Sequence, residues 1–327
     1  MAEYANNSQF PIPLRRMMKE IVVTGAAGFI GHHLVRHLDN DQIEVFGLDD
    51  GRTGDWNQVS SFVKPEYSPM EDLTFREMCD YLDRTDVLFH LAAEKYNSSK
   101  MTPEGVIEVN VRATDLLFRA AVHVGIPRIV FTSSLYAYGN LGPDPMSEDD
   151  IPQPRTHYGI SKLTGEHLLR TACIGSKTSW NIARLLFIYG PEQYADGGYK
   201  SVIVTNFERL LNGLRPLIKG NGEQALDYVY IDDCIRALMS LSESSATGKT
   251  VNVATGKAVT VNHLIREMCI VAGVDFEPEY IEADWTNGTF RVGRNDHIRE
   301  NFDWIPAVDL REGLTRTWNQ MKKDKGS

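Results

Sequence analysis

The chain of 327 residues is 42% hydrophobic and 24% charged, with a formal net charge of −10. That length suits one large α/β unit or two domains around a substantial core. The acidic balance argues against a nucleic-acid partner, which needs a basic face, and no apolar run reaches the roughly 18 residues that a membrane span requires.

The opening stretch, "MAEYANNSQFPIPLRRMM" (1–18), is polar and lacks the apolar region of a secretion signal, so it reads as an N-terminal tail. "EIVVTGAAGFIGHHLVRHL" (20–38) is a β-branched run, a glycine turn and an amphipathic helix, with Ile30, Leu34, Val35 and Leu38 at helical spacing. "NDQIEVFGLDD" (40–50) follows as a turn and a second strand ending in Asp49 and Asp50. "DVLFHLAA" (86–93) and "RIVFTSSLYAYG" (128–139) are two more apolar strands, separated by a helical stretch from about Pro103 to Val124. This alternation predicts an α/β fold with a parallel, doubly wound sheet and right-handed crossovers. The four cysteines, Cys79, Cys173, Cys234 and Cys269, form no CxxC and no zinc spacing. They fit a reducing, cytoplasmic compartment, and no metal site is expected.

Gly25, Gly28 and Gly31 lie between the first strand and its helix. In that setting they permit a tight turn, close approach of backbone to a pyrophosphate, and close helix–strand packing. The phosphates then meet free N–H groups at the helix N-terminus. Asp49 stands 21 residues after Gly28, at the next strand end. A carboxylate there binds the adenosine ribose and repels a 2′-phosphate, which favours NAD over NADP; Asp50 adjoins it, and Arg52 is the nearby group that argues the other way.

Farther along, "THYGISKLTGEH" (156–167) places Lys162 four residues after Tyr158 in a helical stretch. The two share a helix face. A phenol has an unperturbed pKa of about 10 and is a poor base at neutral pH, so this spacing by itself leaves open whether the pair is chemical or a solvated surface.

With "TGAAGFIG", "HLAA", "TSSLYAYG" and "YGISK" in this order, the chain resembles the extended short-chain dehydrogenase/reductase superfamily. More narrowly, it resembles the NAD-dependent epimerase/dehydratase family, which includes the UDP-glucose 4-epimerases. "RLLFIYGP" (184–191), "GNGEQALDYVYIDD" (220–233), "VNVATG" (251–256) and "WIPAVDLREGL" (304–314) continue the match, so that it covers about 20–318. The resemblance implies an NAD-binding Rossmann domain at 19–186, completed by about 226–256. It implies a smaller substrate domain from 187–225 and 257–318, with 319–327 as a C-terminal tail. The helices near 104–124 and 157–173 resemble those that pair across a two-fold axis in this family, which implies a homodimer.

The pair at 158 and 162 then acquires a role. Ser134 ends an apolar strand 24 residues before Tyr158, and strand ends of such a sheet face the cofactor crevice. By resemblance, Ser134 and Tyr158 hydrogen-bond the reacting oxygen, Tyr158 moves the proton, and Lys162 holds the nicotinamide ribose. Positive charge from Lys162 and oxidised nicotinamide would lower the phenol pKa, as proton exchange near neutral pH needs. Lys95 matches a cofactor-contacting lysine, Asn110 a residue that supports the crevice, and Phe29 and Ile30 match backbone contacts to the pyrophosphate.

Several positions depart from the pattern. Ser68 or Pro69 replaces an aspartate that meets the adenine, and Phe187 an asparagine near the substrate phosphates. Leu226 and Thr286 replace two arginines on the nucleotide pyrophosphate. Replacement cations are sought among Arg184, Lys200, Arg291 and Arg294. Leu135 and Tyr136 stand where sugar dehydratases carry an Asp–Glu pair, so elimination, which needs an acid and a base at neighbouring carbons, is disfavoured. Tyr136, Phe187 and Arg291 are candidate substrate residues, and "YADGGYK" (194–200) is a candidate closing loop. The leading expectation is oxidation of a sugar C4 hydroxyl by NAD within a nucleotide-sugar 4-epimerase. The alternatives are a dehydrogenase or reductase of a sugar or polyol without the nucleotide diphosphate, and an inactive NAD-sensing protein.

Overall fold

The computed structural model describes residues 19–39, 42–59, 63–139, 142–193 and 200–326. The expected tail at 1–18, and the expected loop at 194–200 apart from Lys200, lie outside them. The first half runs β1 (Lys19–Thr24), α1 (Phe29–His37), β2 (Ile43–Leu48), β3 (Lys64–Glu66), α2 (Phe75–Leu82) and β4 (Val87–His90). Next come α3 (Ser98–Met101), α4 (Pro103–Ile107), a π-helical segment (Glu108–Ala113), α5 (Thr114–Val124), β5 (Arg128–Ser134), α6 (His157–Ala172) and β6 (Ser179–Leu185). The remainder is β7 (Phe187–Tyr189), α7 (Val202–Leu211), β8 (Leu217–Lys219), β9 (Ala225–Leu226), β10 (Tyr228–Tyr230), α8 (Ile231–Glu243), β11 (Lys249–Val253), β12 (Val259–Thr260), α9 (Val261–Ala272), β13 (Glu279–Ile281), β14 (Phe290–Arg291), α10 (Asp296–Phe302) and α11 (Leu310–Gly326).

Seven strands form one sheet in the order β11-β6-β5-β4-β1-β2-β3, parallel at every pairing. A parallel sheet buries both faces, so successive residues of each strand feed opposite cores. Ile21 and Val23 of β1 join Leu34, Val35, Cys234 and Leu238 from α1 and α8. Val22 joins Met78, Leu82, Leu117, Phe118 and Leu169 from α2, α5 and α6. The fold is therefore the expected doubly wound, Rossmann-type sandwich. β11 closes one edge by pairing with β6, whereas the small sheets β10-β7, β12-β9-β14 and β13-β8 draw on residues after 186.

Two sequence expectations need correction. The helix expected over about 103–124 is not one α-helix, because the π-helical turn at 108–113 interrupts it. The C-terminal tail expected at 319–327 is ordered helix as far as Gly326. Trp318 is buried against Phe207, with ring centroids 5.1 Å apart, and Lys325 Nζ donates to the Leu211 carbonyl at 2.6 Å. An amphipathic stripe continuing past 318 holds that segment on the body.

Helix α6 carries Tyr158, Lys162 and Glu166 at successive i, i+4 positions, one stripe facing the sheet. Glu166 is fully buried. Its carboxylate accepts from Ser133 Oγ (2.6 Å), Arg184 Nε and Nη2 (2.8 and 2.9 Å) and Arg170 Nη2 (3.1 Å). Arg184, a candidate phosphate cation from sequence, is thus occupied inside the core, where its guanidinium also lies 4.5 Å from the Tyr138 ring centroid. Burial pushes the Glu166 carboxyl up, but Arg184, Ser133 and Arg170 together outweigh it and leave it below the ordinary value. A carboxyl depressed in the folded state stabilises the fold above its unfolded pKa, and that stabilisation is lost as pH falls through the folded value. Glu166→Gln keeps the shape but strands the Arg184 charge, so it should destabilise the fold by about 3–5 kcal/mol. Denaturant titration at neutral pH checks this; a loss below about 1 kcal/mol would show that the pair is dispensable.

Candidate active site

The order of the sheet reverses between β1 and β4, and ligands of doubly wound folds bind at that switch point. Here the backbones are in contact. Gly25 has φ +73°, and a Cβ on it would lie 2.7 Å from the Ala92 nitrogen after β4; a Cβ on Gly31 would lie 2.0 Å from the Gly25 carbonyl oxygen. Only glycine fits either place. Helix α1 begins with no capping side chain and no acid in its first turn, as an anion-receiving N-terminus requires. The cleft above it has a volume of about 440 Å³ and is lined by Gly25, Gly28, Phe29, Ile30, Gly31, Asp49, Asp50, Lys95 and Tyr158. The size is that of a small-molecule site, and the cradle fits a dinucleotide.

The acids at the end of β2 divide their work. Asp49 accepts from Gly51 N at 2.8 Å and Ala27 N at 3.1 Å, which fixes its carboxylate beside the glycine turn. Burial raises its pKa, opposed by those two N–H groups. Asp50 instead accepts from Arg52 Nε at 2.6 Å, and Arg52 Nη2 donates to Glu71 at 2.8 Å. Arg52, the group suited to a 2′-phosphate, is therefore engaged by two carboxylates. Burial lowers the pKa of Lys95, opposed by Asp49 and Glu94. Asn110 sits in the π-helical segment and exchanges two hydrogen bonds with the Glu94 backbone, 2.7 and 3.0 Å, while its Nδ2 also donates to Ser161 Oγ at 3.1 Å. It braces the crevice wall from behind. Ser68 lines the cleft, with its hydroxyl donating to Glu66 at 2.6 Å.

On the catalytic side, the alternation along β5 sends Ser133 to Glu166 and leaves Ser134 to hydrogen-bond Tyr158. Lys162 is buried one turn along α6, with Nζ 4.6 Å from the Phe131 ring centroid. Burial lowers its pKa to about 7, against the pull of Glu166. The expected depression of the Tyr158 phenol is not produced by the protein's own groups. Burial raises its pKa, and the Ser134 hydrogen bond opposes that only in part. The physical reason is desolvation: burial takes the phenolate out of water, and that loss exceeds what the serine hydroxyl returns.

Around Tyr136, Phe187 and Arg291, the candidate substrate residues from sequence, stand two rings that sequence reasoning did not mark, Tyr96 and Trp285. Tyr136 stacks on Tyr96 (4.6 Å, 17°) and meets Tyr158 edge-on (5.8 Å). Trp285 lies 6.0 Å from Tyr96. Arg291 places its guanidinium 4.8 Å from the Phe187 ring and 5.4 Å from that of Trp285. The adjacency of Tyr96 to Lys95 was a usable signal; nothing in the spacing marks Trp285. Elsewhere, His32, His33 and Glu192 bring potential metal-ligand atoms within 4.8 Å of one another, and Arg36 Nη1 donates to the same Glu192 carboxylate at 2.5 Å.

Residues 21–254 match the model of the NAD dependent epimerase/dehydratase family. The chain belongs to that family. The UDP-glucose 4-epimerase of Mycolicibacterium smegmatis is 32% identical over 316 residues, covering 90% of this chain and 96% of the relative. The crystal structure of a UDP-glucose 4-epimerase from Thermotoga maritima, with UDP-glucose, superposes with a TM-score of 0.87 at 30% identity, covering 94% of this chain and 99% of that one. A UDP-glucuronic acid 4-epimerase from Bacillus cereus, in complex with UDP-glucuronic acid and NAD, does so with a TM-score of 0.84 at 25% identity, covering 93% and 99%. No described helix is long and apolar enough to cross a membrane.

For an NAD-dependent family member, the engagement of Arg52 leaves Asp49 to choose between the two nicotinamide dinucleotides. The protein is expected to prefer NAD, and Asp49→Ala should narrow the NAD/NADP ratio of dissociation constants by about ten- to a hundredfold, the worth of a charge-assisted hydrogen bond. Parallel titrations of both cofactors test this, and equal affinity of the unaltered protein for NADP would refute it.

Proposed function

We propose that the protein is an NAD-dependent nucleotide-sugar 4-epimerase. The observation that carries the reading is the Ser134–Tyr158 hydroxyl pair, whose tyrosine lines the dinucleotide cleft, with Lys162 buried one helical turn along. Tyr158 accepts the proton of the C4 hydroxyl while Ser134 donates to the same oxygen and holds it in place. Oxidised nicotinamide, when bound, supplies the hydride acceptor and a fixed positive charge beside the phenol. Tyr158 then returns its proton as the C4 ketone is reduced from the opposite face, which inverts that carbon. Lys162 holds the nicotinamide ribose and favours the phenolate. Lys95, Asn110, Phe29 and Ile30 keep the roles of cofactor contact and crevice support that their positions suggest. Leu135 and Tyr136 offer no acid–base pair for elimination.

A net dehydrogenase is the second reading, favoured by the apolar side chain of Leu226 where a phosphate-binding cation would stand. Steady accumulation of reduced nicotinamide with substrate would select it; interconversion of C4 epimers without added NAD would select epimerisation. Tyr158→Phe keeps the ring and its packing but removes the proton carrier, so turnover should fall by about 10²–10⁴ while folding and NAD content change little. A folded, NAD-bound Tyr158→Phe protein with nearly unaltered turnover would sink the mechanism.

The active form is proposed to be a cytoplasmic homodimer. The four cysteines are unpaired, which suits a reducing compartment. Ile107 on α4 and Ile160 on α6 are 46% and 47% exposed on neighbouring helices, an apolar surface suited to isologous helix pairing. Light scattering at micromolar concentration should give twice the chain mass, and a monomer mass would count against it.

A further inference from the structure

The position occupied by Leu226 has a neighbour that supplies what leucine lacks. Leu226 and Arg291 are register partners in the parallel pairing of β9 with β14, and partners in a ladder present their side chains on the same face. Arg291 is 4% exposed, and its Nε is buried without a hydrogen-bond partner. Among the described residues it forms no ion pair with a carboxylate. Its guanidinium carbon lies instead 4.8 Å from the Phe187 ring centroid and 5.4 Å from that of Trp285. The other candidate cations do not compete. Arg184 is paired with Glu166, Lys200 donates to Glu208 at 2.6 Å, and Arg294 is exposed. The second missing arginine is not replaced in place either, because the Thr286 hydroxyl donates to Asp284.

An enclosed guanidinium without a counter-ion is costly, and its fork matches the paired oxygens of phosphate and carboxylate groups. From Trp285 the rings of Tyr96 and Tyr136 lead, contact by contact, to Tyr158. We propose that Arg291, beside the rings of Phe187 and Trp285, anchors an oxyanion of the substrate, and that the row of Trp285, Tyr96 and Tyr136 sets the distance from that anchor to the reacting carbon. The oxyanion is either the diphosphate of a nucleotide sugar or a carboxylate on the sugar. The inference rests on the nucleotide-sugar reading above, and binding without turnover separates the two.

The test is calorimetric titration of the NAD-loaded protein and of Arg291→Gln with uridine, UDP, UDP-glucose and UDP-glucuronic acid. If the diphosphate is the anchored group, Arg291→Gln weakens UDP binding by about 10- to 100-fold and leaves uridine unchanged. If the carboxylate is, UDP and UDP-glucose are unaffected and UDP-glucuronic acid alone weakens by that factor. Arg291→Lys, which keeps the charge but loses the fork, should recover only part of the loss, and it carries the same comparison should the glutamine variant fail to fold. Retained NAD and an unchanged unfolding midpoint establish that a variant is folded. The proposal is overturned if the parent binds these ligands and the folded variants bind each within about twofold of it. Failure of the parent to bind any UDP ligand, with NAD still in place, would overturn the nucleotide-sugar reading and the anchor together.

Discussion

The buried ion pair between Glu166 and Arg184 sets the geometry on which the catalytic face depends. Tyr158, Lys162 and Glu166 form one stripe on α6, so whatever fixes the rotation of the helix at 166 also fixes it at 158 and 162. Arg184 ties that stripe to β6 and Ser133 ties it to β5, one residue before Ser134. Ser134, proposed to meet the substrate, and Ser133, which locks the helix, are adjacent, and the pleat points them to opposite sides. A buried pair of this kind contributes little net stability relative to a well-packed apolar substitute. Its contribution here is one defined orientation for a helix whose other inward contacts are largely non-directional.

The same carboxylate shapes the charge of the crevice. It is the one opposite charge that holds the Lys162 pKa near 7 against burial. The Tyr158 phenol is pushed the other way by the same loss of water. Burial therefore disfavours charge on both members of the pair, and the protonation of the crevice responds to whatever cation arrives there. The buried His90 is different in kind. Its ring nitrogens lie 2.7 Å from Thr24 Oγ1 and 3.0 Å from Thr114 Oγ1, so it links β1, β4 and α5 as a neutral strut.

Much of this was legible in the sequence because the signals are local or periodic. Strand–glycine–helix spacing at 20–38, the acids ending β2, and the tyrosine and lysine one turn apart each follow from contacts within a few residues or from a repeating pattern. Strand alternation separates Ser133 from Ser134, but the choice of Ser134 for the crevice rests on the family resemblance of the "YG" at 138–139. What sequence did not disclose depends on partners distant along the chain. The occupation of Arg184 by Glu166 needs two strands and a helix brought together. The neighbour relation of Arg291 and Leu226 exists only once β9 and β14 pair. Trp285 reaches the ring of Tyr96 across more than half the length of the chain. The depressed phenol was expected from charges that attract a proton's departure, and the larger effect, desolvation, depends on burial that no spacing reveals.

The π-helical turn at Glu108–Ala113 has a consequence for the phase of the helix that contains it. An extra residue in one turn rotates everything after it by about 100° relative to an uninterrupted α-helix. The break allows Val106 to pack inward, Asn110 to face Glu94 and Ser161, and Leu117 and Phe118 to face the sheet. The segment acts as a phase shifter between two helical halves that serve different neighbours. A single-residue deletion, which a solvent-exposed helix end usually absorbs by fraying, would here leave one half out of step with its partners: either the brace behind the crevice or the packing of the core.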